Sequence, residues 1–129
     1  MSKKIIFSEA APKPVGPYNQ AVSAGGFVFL AGQIPLDPSS GKMVDGDVVA
    51  QTERVFENIK AVLAKAGLTL ENVVKTTVFM QDLAEFAQMN GVYSRYFEEQ
   101  TAPARSTVQV AGLPLGAKVE IEVVAVEDR

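Results

Sequence analysis

The segment Lys118–Val126, Lys-Val-Glu-Ile-Glu-Val-Val-Ala-Val, decides how this chain folds. Successive side chains of a β-strand point to opposite faces of a sheet. One predicted face of this strand is wholly apolar and consists of Val119, Ile121, Val123 and Ala125. The opposite face is polar at one end and apolar at the other, and consists of Lys118, Glu120, Glu122, Val124 and Val126. We expect helices to cover the first face and another subunit to cover the apolar part of the second.

Two amphipathic helices are predicted upstream of this strand. Asp47 is a suitable N-cap for the first, and Gly67 is the residue type that commonly follows a helix end. Its apolar residues recur at helical spacing: Val48, Val55, Ile59, Val62 and Ala66. The second helix is predicted from a capping box formed by Asp82 and Glu85 to about Phe97. Its apolar stripe has one polar member and consists of Leu83, Phe86, Asn90, Tyr93 and Phe97.

The remaining segments predict a mixed β-sheet. Strands are expected at Lys4–Phe7, Ala21–Ala24, Phe27–Ala31, Val73–Met80 and Ala104–Val110. The Gly25-Gly26 pair joins the second and third of these as a hairpin. The resulting order is β-β-β-α-β-α-β-β, which favours an α+β domain spanning residues 1–129, with both helices on one face of the sheet.

Composition excludes several kinds of chemistry. The 129 residues include no histidine and no cysteine, so the sequence offers no thiol nucleophile, no histidine-assisted triad and no zinc site built from these ligands. No carboxylate cluster predicts a metal site either, and we expect no cofactor. The net charge of −3 and the lack of a basic run make nucleic acid an unfavourable partner. No apolar run is long enough for a signal peptide or a membrane span, which predicts a cytoplasmic protein.

Arg105 is the first candidate for a binding residue. By alternation it shares a sheet face with Thr107 and Gln109. A guanidinium group at the start of a strand can bind a carboxylate through two parallel hydrogen bonds. The alternative is a structural ion pair with an acidic residue of a neighbouring strand.

Glu120 and Glu122 share one face of the last strand, and each raises the cost of ionising the other. One of them, if partly desolvated, is suited to hold and activate a water molecule; alternatively, both lie at a solvated edge. Asn90 must find partners within its apolar stripe, either nearby backbone groups, a ligand or a neighbouring chain. Tyr18 follows a proline-rich arm, where its ring either packs or lines a pocket.

Five motifs, taken together, resemble the RidA/YjgF family, the 2-iminobutanoate/2-iminopropanoate deaminases. They occur in the order and spacing of that family over essentially the whole chain. The motifs are Gly16-Pro17-Tyr18, Ala31-Gly32-Gln33-Ile34-Pro35, Lys75-Thr76-Thr77-Val78-Phe79, Pro103-Ala104-Arg105-Ser106 and Val119-Glu120-Ile121-Glu122. Each motif alone is weak, and the five in register are specific.

The resemblance implies a chorismate-mutase-like fold, a homotrimer, and sites at the subunit interfaces. It implies that Arg105 binds the carboxylate of a 2-imino acid and that Glu120 positions the attacking water. Tyr18, Asn90 and the backbone near Gly32 would line the pocket. The products would be a 2-oxo acid and ammonia, from 2-iminobutanoate, 2-iminopropanoate or their enamine tautomers.

Two substrate-site positions depart from the pattern expected of the bacterial deaminases. Ala31 stands where a serine is common, and Thr107 where a cysteine is common. The loss of the serine hydroxyl removes one hydrogen bond to a ligand. Ala31 therefore leaves open a ligand-binding or regulatory trimer without deaminase activity. The resemblance leaves open a second alternative, an RNA-directed endoribonuclease or translation inhibitor.

Overall fold

A computed structural model describes residues 2–127 of the chain. Six strands form one sheet: β1 Lys4–Ile6, β2 Ala21–Ala24, β3 Phe27–Gln33, β4 Val73–Met80, β5 Ala104–Gln109 and β6 Val119–Val126. Their spatial order is β1-β2-β3-β6-β4-β5. All neighbours are antiparallel except β4 and β5, which are parallel. The predicted mixed sheet is confirmed.

The first helix, α1, spans Val48–Lys65 and has the predicted caps. The Asp47 side chain accepts a hydrogen bond from the amide of Ala50 at 3.0 Å. Gly67 follows the helix with a φ of +78°, a left-handed conformation that costs glycine little. The apolar residues on one side of α1 are buried, and Phe56 is fully buried among them.

The predicted start of the second helix was wrong. Asp82 accepts a hydrogen bond from the amide of Ala84 at 2.9 Å, but it caps a single 3₁₀ turn, Leu83–Glu85. The α-helix proper, α2, spans Phe86–Tyr96. Leu83 consequently leaves the apolar stripe and is 40% exposed. A short polar cap of this kind fits a 3₁₀ turn as well as an α-helix, which is why the pattern misled.

The core lies between the two helices and one face of the sheet. All four side chains predicted for the inner face of β6 are at most 2% exposed. Gly25 and Gly26 both have positive φ, as the predicted hairpin between β2 and β3 requires. None of the helices in residues 2–127 is long and apolar enough to cross a membrane.

The outer face of the sheet, on the side away from the helices, keeps several large apolar side chains exposed. Phe27 and Phe29 are 42% and 46% exposed, and their ring centroids lie 6.1 Å apart. Val108 on β5 is 41% exposed. The partly apolar outer face predicted from the last strand is therefore present.

Candidate functional site

Arg105 lies on β5, at one edge of the sheet, and its side chain points to the helix-covered face. The register that pairs Arg105 with Thr76 places it there, because Thr76 is fully buried beneath the helices. The guanidinium Nη1 donates a 2.7 Å hydrogen bond to Oδ1 of Asn90. The guanidinium carbon lies 4.5 Å from the ring centroid of Tyr93 and 5.5 Å from that of Phe86.

This arrangement fixes the guanidinium without neutralising it. Aromatic faces attract a cation, and the Asn90 amide supplies an acceptor that carries no charge. Among residues 2–127, the ion pairs are Lys60–Glu57, Arg95–Glu53 and Lys118–Glu85, and none involves Arg105. The alternative of a structural ion pair is therefore not observed in the described chain. A surface cavity of about 710 Å³ opens beside Arg105, Asn90 and Tyr93.

Tyr93 is a site residue that the sequence reasoning missed. Its hydroxyl shares a 2.8 Å hydrogen bond with the hydroxyl of Thr76, which holds the ring under the guanidinium. Burial raises the pKa of the Tyr93 phenol, so the phenol stays neutral and places no negative charge beside the Arg105 guanidinium. Tyr93 was assigned only to the apolar stripe. Its position three residues after Asn90, on the same helix face, was the signal that could have found it.

Glu120 lies on the outer face of the sheet, as the second residue of β6, where it pairs with Phe79 near one end of the β6–β4 ladder. Partial burial raises the pKa of its carboxyl group, and the neighbouring charge of Glu122 raises it further. The alternative of two carboxylates at a fully solvated edge does not fit Glu120, which is only partly exposed. A carboxyl group with a raised pKa accepts a proton more readily than an ordinary one.

Gly32 makes room for this carboxylate. The pairing of β3 with β6 shifts register between Leu30 and Gln33, so Ala31 and Gly32 form a β-bulge. A Cβ atom at Gly32 would lie 2.9 Å from Cδ of Glu120 and closer still to its Oε2. Any larger residue would displace the Glu120 carboxylate. Ala31 beside it uses its amide to donate a hydrogen bond to the Gln20 carbonyl at 2.9 Å, and its side chain offers no polar group.

Tyr18 and Gly32 line a second cavity, of about 400 Å³. The Tyr18 hydroxyl accepts a 3.2 Å hydrogen bond from the amide of Val15 within the proline-rich arm. The ring is half exposed, so Tyr18 is not simply a packing residue. It remains able to donate its hydroxyl proton to a ligand.

Thr107 lies two residues after Arg105 on the same face of β5, as predicted. Its Oγ1 is buried and has no hydrogen-bond partner among residues 2–127. An unsatisfied hydroxyl is costly in a protein interior, so this atom is available for a ligand or a water.

The site residues form two groups on opposite faces of the sheet. Arg105, Asn90 and Thr107 lie on the helix side, whereas Glu120 and Gly32 lie on the outer side. Within one chain, the sheet itself separates the guanidinium from the carboxylate. Among the described residues, no group of three or more carboxylates could hold a metal ion.

Comparisons with known proteins identify the family of this chain. The family model described as Endoribonuclease L-PSP matches residues 8–127. A RutC family protein of Pyrococcus abyssi is 53% identical over 128 residues, which cover 99% of this chain and 100% of that protein. The chain belongs to the RidA/YjgF family. The fold agrees with this: RidA from the Antarctic bacterium Psychrobacter superposes with a TM-score of 0.91 at 44% identity, covering 95% of this chain and 98% of that one.

Another solved RidA/YjgF relative carries a ligand. The structure of TdcF from E. coli with bound serine superposes with a TM-score of 0.89 at 46% identity. The alignment covers 95% of this chain and 98% of that chain. The predicted family and its α+β fold are thus both confirmed.

Proposed function

We propose that this protein hydrolyses reactive 2-imino acids, such as 2-iminobutanoate and 2-iminopropanoate, to 2-oxo acids and ammonia. The observation that carries the proposal is the Arg105 guanidinium, which is fixed by Asn90 and Tyr93 and has no acidic partner in the described chain. A planar guanidinium of this kind suits a small carboxylate, which it can bind through two hydrogen bonds. The serine bound in the related TdcF carries such a carboxylate.

Glu120 completes the chemistry. In the proposed reaction the water oxygen attacks the imine carbon while the Glu120 carboxylate accepts one water proton, and this proton passes to the imine nitrogen, which gives a carbinolamine. The hydroxyl proton of the carbinolamine then moves to the nitrogen, the C–N bond breaks as the carbonyl forms, and ammonia leaves. Orientation and general-base help suffice because an imine conjugated to a carboxylate is already electrophilic.

The proposed site needs two copies of the chain. Arg105 and Glu120 lie on opposite faces of one sheet, so they meet only when the Arg105 side of one protomer faces the Glu120 side of another. The exposed Phe27, Phe29 and Val108 give the outer face an apolar surface for such packing. We expect a homotrimer, as the family resemblance implies, with three such sites related by symmetry.

The test is hydrolysis of imines formed in situ by an amino-acid oxidase, with semicarbazide trapping whatever imine remains. Wild-type protein should lower semicarbazone formation, and Arg105→Ala should abolish this effect. Arg105→Lys should recover little because the two-bond geometry is lost. Arg95→Ala is the matched control, since Arg95 makes only an exposed ion pair with Glu53. Wild-type activity in either Arg105 variant would refute the assignment.

The competing function is RNA-directed, and the description of the matching family model supports it. The net charge of −3 and the absence of histidine weigh against an ordinary ribonuclease site. RNA cleavage by highly purified protein that persists in Arg105→Ala would favour this alternative. A protein that binds 2-oxo acids in calorimetry without lowering semicarbazone formation would instead be a ligand-binding or regulatory member of the family.

A further inference from the structure

The cavity beside Tyr18 and Gly32 is built from three separate segments. The proline-rich arm supplies one wall, the end of β3 and the residues after it supply the second, and the loop between β5 and β6 supplies the third. Its apolar lining comes from Pro12, Pro14, Val15, Ile34, Leu36, Pro114 and Leu115. At about 400 Å³ it is large enough for a small organic molecule.

Two side chains of this lining are unusually exposed. Val15 is 84% exposed and Leu115 is 74% exposed, more than any other large apolar side chain in residues 2–127. Both line the same cavity, on walls formed by different segments of the chain. Apolar groups held in water around one concave surface lower their free energy when an apolar ligand group enters.

The backbone at Leu115 gives a second, independent reason to assign a role to this side chain. Leu115 has φ 56° and ψ 24°, and it is the one residue other than glycine with positive φ among those described. Glycine or asparagine adopts this left-handed conformation at lower cost than leucine. Backbone strain of this kind is concentrated at ligand-binding positions.

The arm that forms the first wall is anchored by hydrogen bonds within the chain. The buried amide of Gln20 accepts a 2.6 Å hydrogen bond from the amide of Ser8. It also donates hydrogen bonds to the carbonyls of Ser8 and Pro12, at 3.0 and 2.9 Å. This part of the cavity wall is therefore ordered without a ligand, which reduces the entropy lost on binding.

The cavity adjoins the proposed hydrolytic site at Gly32. Gly32 lines it and is also the residue whose missing side chain makes room for the Glu120 carboxylate. Tyr18 lines it as well. We infer that this cavity binds the alkyl side chain of the substrate, so that the protein prefers 2-imino and 2-oxo acids with branched, leucine-like side chains over those with a methyl group. The inference rests on the site proposed above and adds its substrate class.

The test uses 2-oxo acids as stable probes, with binding measured by calorimetry on the full chain. Pyruvate carries a methyl group and 4-methyl-2-oxopentanoate an isobutyl group, which has three more carbons. Each methylene buried strengthens binding by about fourfold at full burial. Because the cavity is open, we expect 4-methyl-2-oxopentanoate to bind at least about tenfold more tightly than pyruvate.

Leu115→Asn is the test variant, since asparagine has a similar shape, tolerates the left-handed backbone and makes this wall polar. It should lower the ratio of the two affinities by about threefold or more. Leu83→Asn is the matched control, because Leu83 is exposed but lies outside the cavity, in the turn before α2. It should leave the ratio unchanged.

The outcomes separate this inference from the proposed function. Hydrolysis of 2-iminopropanoate together with equal affinity for both probes would overturn the inference alone. Selective binding without hydrolysis would overturn the proposed function alone, and no binding with no hydrolysis would overturn both. If Leu115→Asn weakened self-association in sedimentation but kept the affinity ratio, a second copy of the chain would occupy the cavity and the inference would fail.

Discussion

At the scale of single residues, the closest approach in the proposed site is that of Gly32 to Glu120. Gly32→Ala would place a methyl group where the Glu120 carboxylate lies, and the flexible end of that side chain would move aside. We expect deaminase turnover to fall by about tenfold or more, because a displacement near 1 Å is enough to misplace the attacking water. The free energy of unfolding should change by less than about 1 kcal/mol.

Gly91 provides the control for this substitution. It lies in α2, and a Cβ atom there would meet nothing within 4 Å. Gly91→Ala should stabilise the protein by roughly 0.5–1 kcal/mol through helix propensity and leave turnover unchanged. Urea denaturation and the semicarbazide assay measure both quantities. Equal turnover in Gly32→Ala and wild type would remove Glu120 from the mechanism.

The raised pKa of Glu120 predicts a pH dependence for the same reaction. General-base catalysis needs the carboxylate, so activity is lost as pH falls through the pKa of Glu120. Burial and Glu122 both raise this pKa above the ordinary value of 4.5, so the loss should begin at a higher pH than an ordinary glutamate would give. Glu122→Gln removes the repulsion but not the burial.

We therefore expect the acid limb of the kcat/KM profile to move to lower pH in Glu122→Gln while staying above the ordinary range. Glu71→Gln, at an exposed position remote in sequence from β6, should leave the limb in place. An acid limb that stays fixed, or moves upward, in Glu122→Gln would contradict the role of Glu120 as the base.

At the scale of elements, periodicity predicted most of the fold. Alternation on β6 and the helical spacing of α1 are strong signals, because both elements bury one complete face against the core. The start of α2 was not predictable, since Asp82 caps a 3₁₀ turn with the same local hydrogen bond that would cap an α-helix. The β-bulge at Ala31 and Gly32 was also missed, because a register shift depends on the partner strand.

The candidate site was predictable to a similar extent. Arg105, Glu120 and Asn90 were selected by residue type and by resemblance, and the structure gives each a specific environment. The contact of the Tyr93 ring with Arg105 could not be predicted, because it depends on how α2 packs against β5. The position of Leu115 in the cavity wall could not be predicted either. It depends on the backbone of the loop, and no sequence pattern predicts a leucine in a left-handed conformation.

At the scale of the whole molecule, the proposed site makes catalysis a property of the assembly. Arg105→Ala and Glu120→Gln should each be inactive, since every site in either protein lacks one essential group. If the two groups come from different copies, mixing the two variants creates some sites that contain both an intact Arg105 and an intact Glu120. With random exchange of subunits in equal amounts, about one quarter of the sites should be complete.

The measurement is deaminase activity after the two inactive variants are unfolded together, refolded and compared with wild type treated identically. Recovery to about a quarter of the wild-type rate is expected. Mixing Arg105→Ala with a double variant carrying both substitutions is the control, because no complete site can form and activity should stay absent. If the first mixture also stayed inactive while native mass spectrometry showed mixed oligomers, both groups would have to act within one chain. The opposite faces of the sheet make that arrangement incompatible with the proposed mechanism.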